Sequence, residues 1–162
     1  MLAYEIKFDR SGFAIIPVFL RQKHNPTMAS VDYKVDTGAN CTTIGSKRLF
    51  ELGYDENWIK SGKRLKGNAR PTVASGIPLD DCYEVILPEI HIGEWVGYNW
   101  PVLTSLSLNF KFLLGTDSMQ FFNWHFDYEN GVCGFDLISG KRKMLFNQKE
   151  QSIHAIDETE QK

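Results

Sequence analysis

Polar and apolar positions alternate over Tyr4-Glu5-Ile6-Lys7-Phe8, the period-two pattern of a half-buried strand. Arg10-Ser11-Gly12 reads as a turn. Residues 13–20 are almost wholly apolar and β-rich, so a buried strand is expected there. Pro17 inside it points to a sheet edge or a bulge. The two strands together read as a hairpin. A polar loop follows at 22–29, and 31–35 is again strand-like. Ser46-Lys47-Arg48-Leu49-Phe50-Glu51-Leu52-Gly53 has a cap-type serine, helix formers and a closing glycine, which predicts a short helix. Residues 55–67 are polar and read as an irregular connection that can include a turn of helix.

The second half follows the same rhythm. Residues 69–75 and 81–87 are strand-like and flank a tip at Gly76-Ile77-Pro78. Segments 89–93, 96–103 and 110–114 read as further strands, with His91 on the polar side of its own. Residues 117–122 begin with capping types and predict a second short helix, with Asp117 as its cap. Residues 124–128 and 132–137 bracket Asn130-Gly131, a strong hairpin signal. The count is about ten short strands and two short helices with no βαβ rhythm, an all-β domain of closed or sandwiched type. The boundary falls at 146: residues 1–146 form one domain, and 147–162 are polar and expected to be disordered.

One stretch carries chemistry. Val31-Asp32-Tyr33-Lys34-Val35-Asp36-Thr37-Gly38-Ala39-Asn40-Cys41-Thr42-Thr43-Ile44 runs from strand into tight loop and out into strand. Asp36 offers a carboxylate that can hold or release a proton. Thr37 offers a hydroxyl, and Gly38 allows a turn that leaves its N–H near the carboxylate. Asp-Thr-Gly is also ordinary turn composition, and it arises by chance in roughly a few per cent of chains this long. The apolar flanks and the Ala39-Asn40 continuation make it more specific.

Lys34-Val35-Asp36-Thr37-Gly38-Ala39-Asn40 resembles the active-site loop of retropepsin-like aspartic proteases, the single-domain class that includes the retroviral proteases. Phe112-Leu113-Leu114-Gly115-Thr116-Asp117 is similar to the segment preceding that family's short C-terminal helix. Thr72-Val73-Ala74-Ser75-Gly76 followed by Tyr83-Glu84-Val85-Ile86-Leu87 looks like its flap hairpin. The matches keep the family's order over 31–136. The resemblance implies a closed β-barrel of acid-protease type with one or two short helices, active as a symmetric homodimer. It implies Asp36 as the catalytic residue of an endopeptidase acting on polypeptides. Thr37, Gly38, Ala39 and Asn40 would support the loop, with Thr37 bonding across to the partner. Leu113, Leu114 and Gly115 would pack behind it. Ala74, Ser75, Gly76 and Ile77 would form the flap. Asn40 departs from the pattern, because retroviral enzymes commonly carry an acid there. Altered loop support without loss of chemistry is expected.

One Asp-Thr-Gly per chain matters. Two carboxylates roughly 3 Å apart cannot both ionise, so such a pair shares one proton and divides the roles of base and acid. A single chain offers half of that pair, and a symmetric dimer supplies the rest. Among other acids, Asp32 shares the face of Asp36 by period two, Asp117 reads as a helix cap, and Asp127 and Asp136 lie in a hairpin.

Composition narrows the alternatives. At 162 residues, with 43% hydrophobic and 13% aromatic content, the chain can bury a core without disulfide or metal staples. A net charge of −2 argues against a nucleic-acid or anionic-membrane surface. Lys60, Lys63, Arg64 and Lys66 form a local basic cluster, read as a solvated face or as a contact for acidic substrate positions. Cys41, Cys82 and Cys133 are odd in number and widely spaced, and read as buried or half-buried thiols. With four scattered histidines they write no metal site, and no cofactor is expected. No secretory or membrane-spanning apolar run is present, so a reduced cytoplasmic setting is the default expectation. Two other functions stay in play. A catalytically silent peptide-binding or scaffold domain on the same fold has no need of the intact Asp-Thr-Gly. A metal-dependent hydrolase is disfavoured by the scattered ligands.

Overall fold

Strand β5 (Cys82–Ile92) and strand β6 (Trp95–Ser105), eleven residues each, form the antiparallel hairpin at the centre of the molecule. The computed structural model describes residues 4–8, 10, 12–71, 78–93, 95–137, 142–147 and 152–157. The remaining elements are β1 (Tyr4–Lys7), β2 (Ile15–Arg21), β3 (Met28–Val35), β4 (Lys63–Arg64), β7 (Leu113–Leu114), β8 (Phe122–Asp127), β9 (Val132–Leu137), β10 (Arg142–Asn147) and β11 (Ser152–Asp157). Among the described residues, three short helices, α1 (Ser46–Glu51), α2 (Glu56–Lys60) and α3 (Thr116–Met119), and a 3-10 turn at Gly67–Ala69 complete them. Of these, α2 falls in 55–67, where the sequence allows a turn of helix, and each of the three is only four to six residues long.

The large sheet has the order β11-β10-β6-β5-β2-β3-β7, with β4 added alongside β5. A second sheet has the order β1-β9-β8. Among the described residues the large sheet is open, with β11 at one end and β7 at the other. The closed barrel expected from sequence is therefore corrected to two sheets. The hairpin expected between β1 and β2 is corrected too. Among the described residues no ladder joins β1 to β2 beyond the isolated Phe8–Ala14 bridge that flanks them, and β1 pairs with β9 from Tyr4–Phe135 to Lys7–Val132. Alternation marks a strand but not its partner, and this partner lies at the other end of the chain.

Local chemistry explains the strand details. Pro17 faces Asp32 of β3, while β5 begins to pair with β2 only at Val18, so no ladder donor is lost at the proline. The pattern breaks at Pro88, yet β5 runs straight through it. The irregularity is taken up opposite, where Asn99 adopts φ 51°, a left-handed conformation asparagine tolerates better than most residues. Gly131, at φ 66°, closes the β8–β9 hairpin that Asn130-Gly131 foretells. Helix α1 is capped at Gly45, not Ser46. A Cβ at Gly45 would stand 2.5 Å from Asn109 Oδ1 and 2.8 Å from Phe110 O. Residues 152–157, in the tail expected to lack order, pair as β11 with β10.

The core is built from the inward faces of these strands. Ile16, Val18 and Leu20 of β2 and Val31, Tyr33 and Val35 of β3 are all buried, while Asp32 between them is exposed. An aromatic group joins the two sheets. Trp95 meets Phe122 edge-on at 5.0 Å between ring centres, and Phe122 meets Phe135 at 5.5 Å. Such pairs add about 0.5–1.5 kcal/mol each beyond the area they bury.

Candidate active site

Strand β3 delivers Asp36 at its end. Val35 is buried and its N–H donates to Ala14 O at 2.8 Å, which fixes the strand before the chain turns. The turn closes on itself. Gly38 N–H donates to Asp36 Oδ1 at 2.9 Å, and Ala39 N–H donates to Asp36 O at 3.2 Å. Asp36 is half-buried, while Thr37, Gly38 and Asn40 are exposed at the rim. Lys34 and Phe13 flank the entry, with Lys34 Nζ 3.4 Å from the centre of the Phe13 ring.

The segment Leu113-Leu114-Gly115 threads between the two arms of this loop. On the incoming side, β7 pairs in parallel with Lys34 and Val35, and Asp36 N–H donates to Leu114 O at 3.0 Å. On the outgoing side, Thr43 N–H donates to Leu113 O at 2.9 Å, and Leu113 N–H donates to Thr43 Oγ1 at 3.2 Å. Beyond the loop, Thr116 N–H donates to Ala39 O at 2.8 Å. Gly115 is required by proximity. A Cβ there would fall 2.5–2.8 Å from the backbone N, C and O of Cys41. The two stretches singled out in the sequence, 36–40 and 113–115, are thus one structure.

The other acids have other occupations. Asp32 sits four residues back along β3, about 13 Å from Asp36 at the usual strand rise, too far to share a proton. Asp127 accepts from Asn130 N–H at 3.0 Å and Asn130 Nδ2 at 2.7 Å, and these bonds hold its carboxyl below the usual range. Asp117 is not the cap of α3, a place taken by Gly115. Its carboxylate accepts instead from Thr42 N–H at 3.1 Å, Thr42 Oγ1 at 2.8 Å and Ser118 N–H at 2.7 Å. Sequence reasoning passed over this cluster. Its signal is a Thr four residues beyond Gly38 and an Asp two beyond Gly115.

The remaining candidates separate out. Ala74, Ser75, Gly76 and Ile77 lie outside the described residues. The ends of that segment are tied together, Leu79 N–H to Pro71 O at 2.9 Å and Arg70 Nη1 to Asp80 Oδ1 at 2.8 Å. In the basic cluster, Lys60 pairs with Glu56 and Arg64 with Asp81. His91 Nε2 lies 3.2 Å from Glu89 Oε2, on the sheet surface. Cys82 and Cys133 are buried, but Cys41 is exposed, contrary to the burial expected of it. No three His, Cys, Asp or Glu side chains among the described residues are grouped to hold a metal. No helix among them is long and apolar enough to cross a membrane.

No family model matches the chain, and no curated protein matches it. Among solved structures it is similar to a retropepsin-like aspartic protease from Rickettsia conorii. The TM-score is 0.59 at 20% identity, over 82% of this chain and 88% of the other. At that identity the likeness shows a shared fold: mostly strands with a few short helices.

Proposed function

We propose that the chain is an aspartic endopeptidase whose site forms where two copies meet, each contributing Asp36. The observation that carries this reading is the half-buried Asp36 carboxylate on a loop threaded by Leu113-Leu114-Gly115, with the Gly38 N–H on its Oδ1. One oxygen is thereby held in place. The other is left for a second carboxylate and a water. Neither Asp32 nor Asp117 can supply that second carboxylate within the chain, so the two-fold partner does. The pair shares one proton. Its ionised member takes a proton from water, which attacks the peptide carbonyl, while its protonated member donates to the carbonyl oxygen. No covalent intermediate and no cofactor enter. Thr37, exposed in the single chain, is the proposed bond across the axis, and Ala74, Ser75, Gly76 and Ile77 are the proposed flap that covers bound polypeptide.

The test is digestion of a diverse peptide library by wild type and Asp36→Asn, with the products sequenced. Asp36→Asn keeps shape but cannot act as base, so cleavage is lost while the circular dichroism spectrum and dimer mass are kept. Wild-type turnover by Asp36→Asn overturns the assignment. Inhibition by a pepstatin-type compound with indifference to chelators separates this reading from a metal-dependent hydrolase.

A further inference from the structure

Behind the loop lies a polar cluster that the proposed chemistry does not use. Thr42 is 2% exposed and Ser118 1%. Thr42 Oγ1 donates to Asp117 Oδ1 at 2.8 Å, lies 2.5 Å from Ser118 Oγ, and accepts from Gly115 N–H at 3.2 Å. A hydroxyl has one proton to give. Since that proton goes to the carboxylate, Ser118 Oγ must donate to Thr42, and every bond direction in the cluster follows. Asp117 in turn takes three donors on two oxygens: Thr42 Oγ1 and Ser118 N–H on Oδ1, and Thr42 N–H on Oδ2. An amide cannot replace it, because its NH2 would face one of those donors.

A local role at the start of α3 does not account for this arrangement. Two of the three donors come from Thr42, 75 residues away in sequence. The segment 114–118 therefore grips both arms of the Asp36 loop. Leu114 O and Thr116 N–H hold the near side, at Asp36 N–H and Ala39 O, and Asp117 holds the far side at Thr42. We propose that Asp117 is a positioning residue for Asp36, acting through Thr42 to fix the outgoing arm of the loop; this rests on Asp36 being the reacting group.

The test compares Thr42→Val, Thr42→Ser and Asp117→Asn with Ile59→Val, a core change away from the loop, at a temperature where all are folded. Misplacing a reacting group by a fraction of an ångström to 1 Å costs up to about 100-fold in rate, so kcat for Thr42→Val and Asp117→Asn is expected to fall about 10- to 100-fold. KM and the dimer dissociation constant stay at wild-type values. Thr42→Ser, which keeps the hydroxyl, regains most of the lost rate. Ile59→Val loses stability without losing kcat. Amide exchange at Asp36 and Ala39 quickens in Asp117→Asn, while β5–β6 amides keep their protection. Wild-type kcat in Thr42→Val and Asp117→Asn, or unchanged exchange at both amides, overturns the proposal. A wild-type protein that cleaves nothing overturns the proposed function and the catalytic purpose of the clamp with it, and exchange still reports whether Asp117 holds the loop.

Discussion

At Thr37 and at Cys133, single side chains make claims that can be measured apart from the rest. Thr37 is exposed in one chain and has its proposed partner in the other. Thr37→Val keeps the volume and removes the hydroxyl, leaving a buried group across the axis unpaired at a cost of about 1–3 kcal/mol. A correspondingly weaker dimer in sedimentation is expected, with unchanged kcat once the dimer is reformed at high concentration. Cys133 tests the core. Burial pushes its thiol up from 9.0 to about 11. The folded chain thus holds that proton more tightly than the unfolded chain. The stabilisation is complete below pH 9 and is lost as pH rises towards 11. Urea unfolding in reductant from pH 8 to 11 should show a shallower alkaline decline for Cys133→Ala than for wild type.

Between elements, the decisive contact is backbone against backbone. Strand β7 has only two residues, too short to hold itself, and owes its position to Lys34 and Val35 on one side and Thr43 on the other. Gly115 lets that crossing close on Cys41. Gly115→Ala forces the arms apart, because the atoms in the way belong to the main chain and not to a flexible side chain. Overpacking of this kind costs about 1–3 kcal/mol. We expect a lower melting temperature and a larger loss of cleavage than stability alone predicts, since the strain falls on the loop carrying Asp36. Thermal melts and peptide cleavage on the same samples check both.

For the whole molecule, the proposed shared site makes dimerisation a condition of activity. Specific activity should fall on dilution through the dimer dissociation constant and recover on concentration. Excess Asp36→Asn mixed with wild type should suppress activity below simple dilution, because exchange makes heterodimers with one working carboxylate. Constant specific activity where sedimentation shows only monomer contradicts the shared site. The rate of the dimer should follow a bell-shaped pH profile whose two apparent pKa values belong to the pair. A flat profile from pH 4 to 8 contradicts it.

What local chemistry controls was legible in the chain. Alternation in 4–8 and 31–35, the helix formers after Gly45, and Asn130-Gly131 between strands each express a preference that acts over a few residues, and each is found in place. The pairing of the Asp36 loop with 113–115 was legible only through resemblance, because composition does not say that two stretches some 75 residues apart interlock. Tertiary structure alone decided the rest. It set β1 against β9 instead of β2, left the large sheet open among the described residues, and drew residues 152–157 into a strand. It also brought Thr42, Asp117 and Ser118 together. A hydroxyl and a carboxylate are surface residues by type. Here the Thr42 and Ser118 hydroxyls are buried and the Asp117 carboxylate half-buried because each finds the other's hydrogen bonds, and such complementarity exists only once the loop has closed around the strand that threads it.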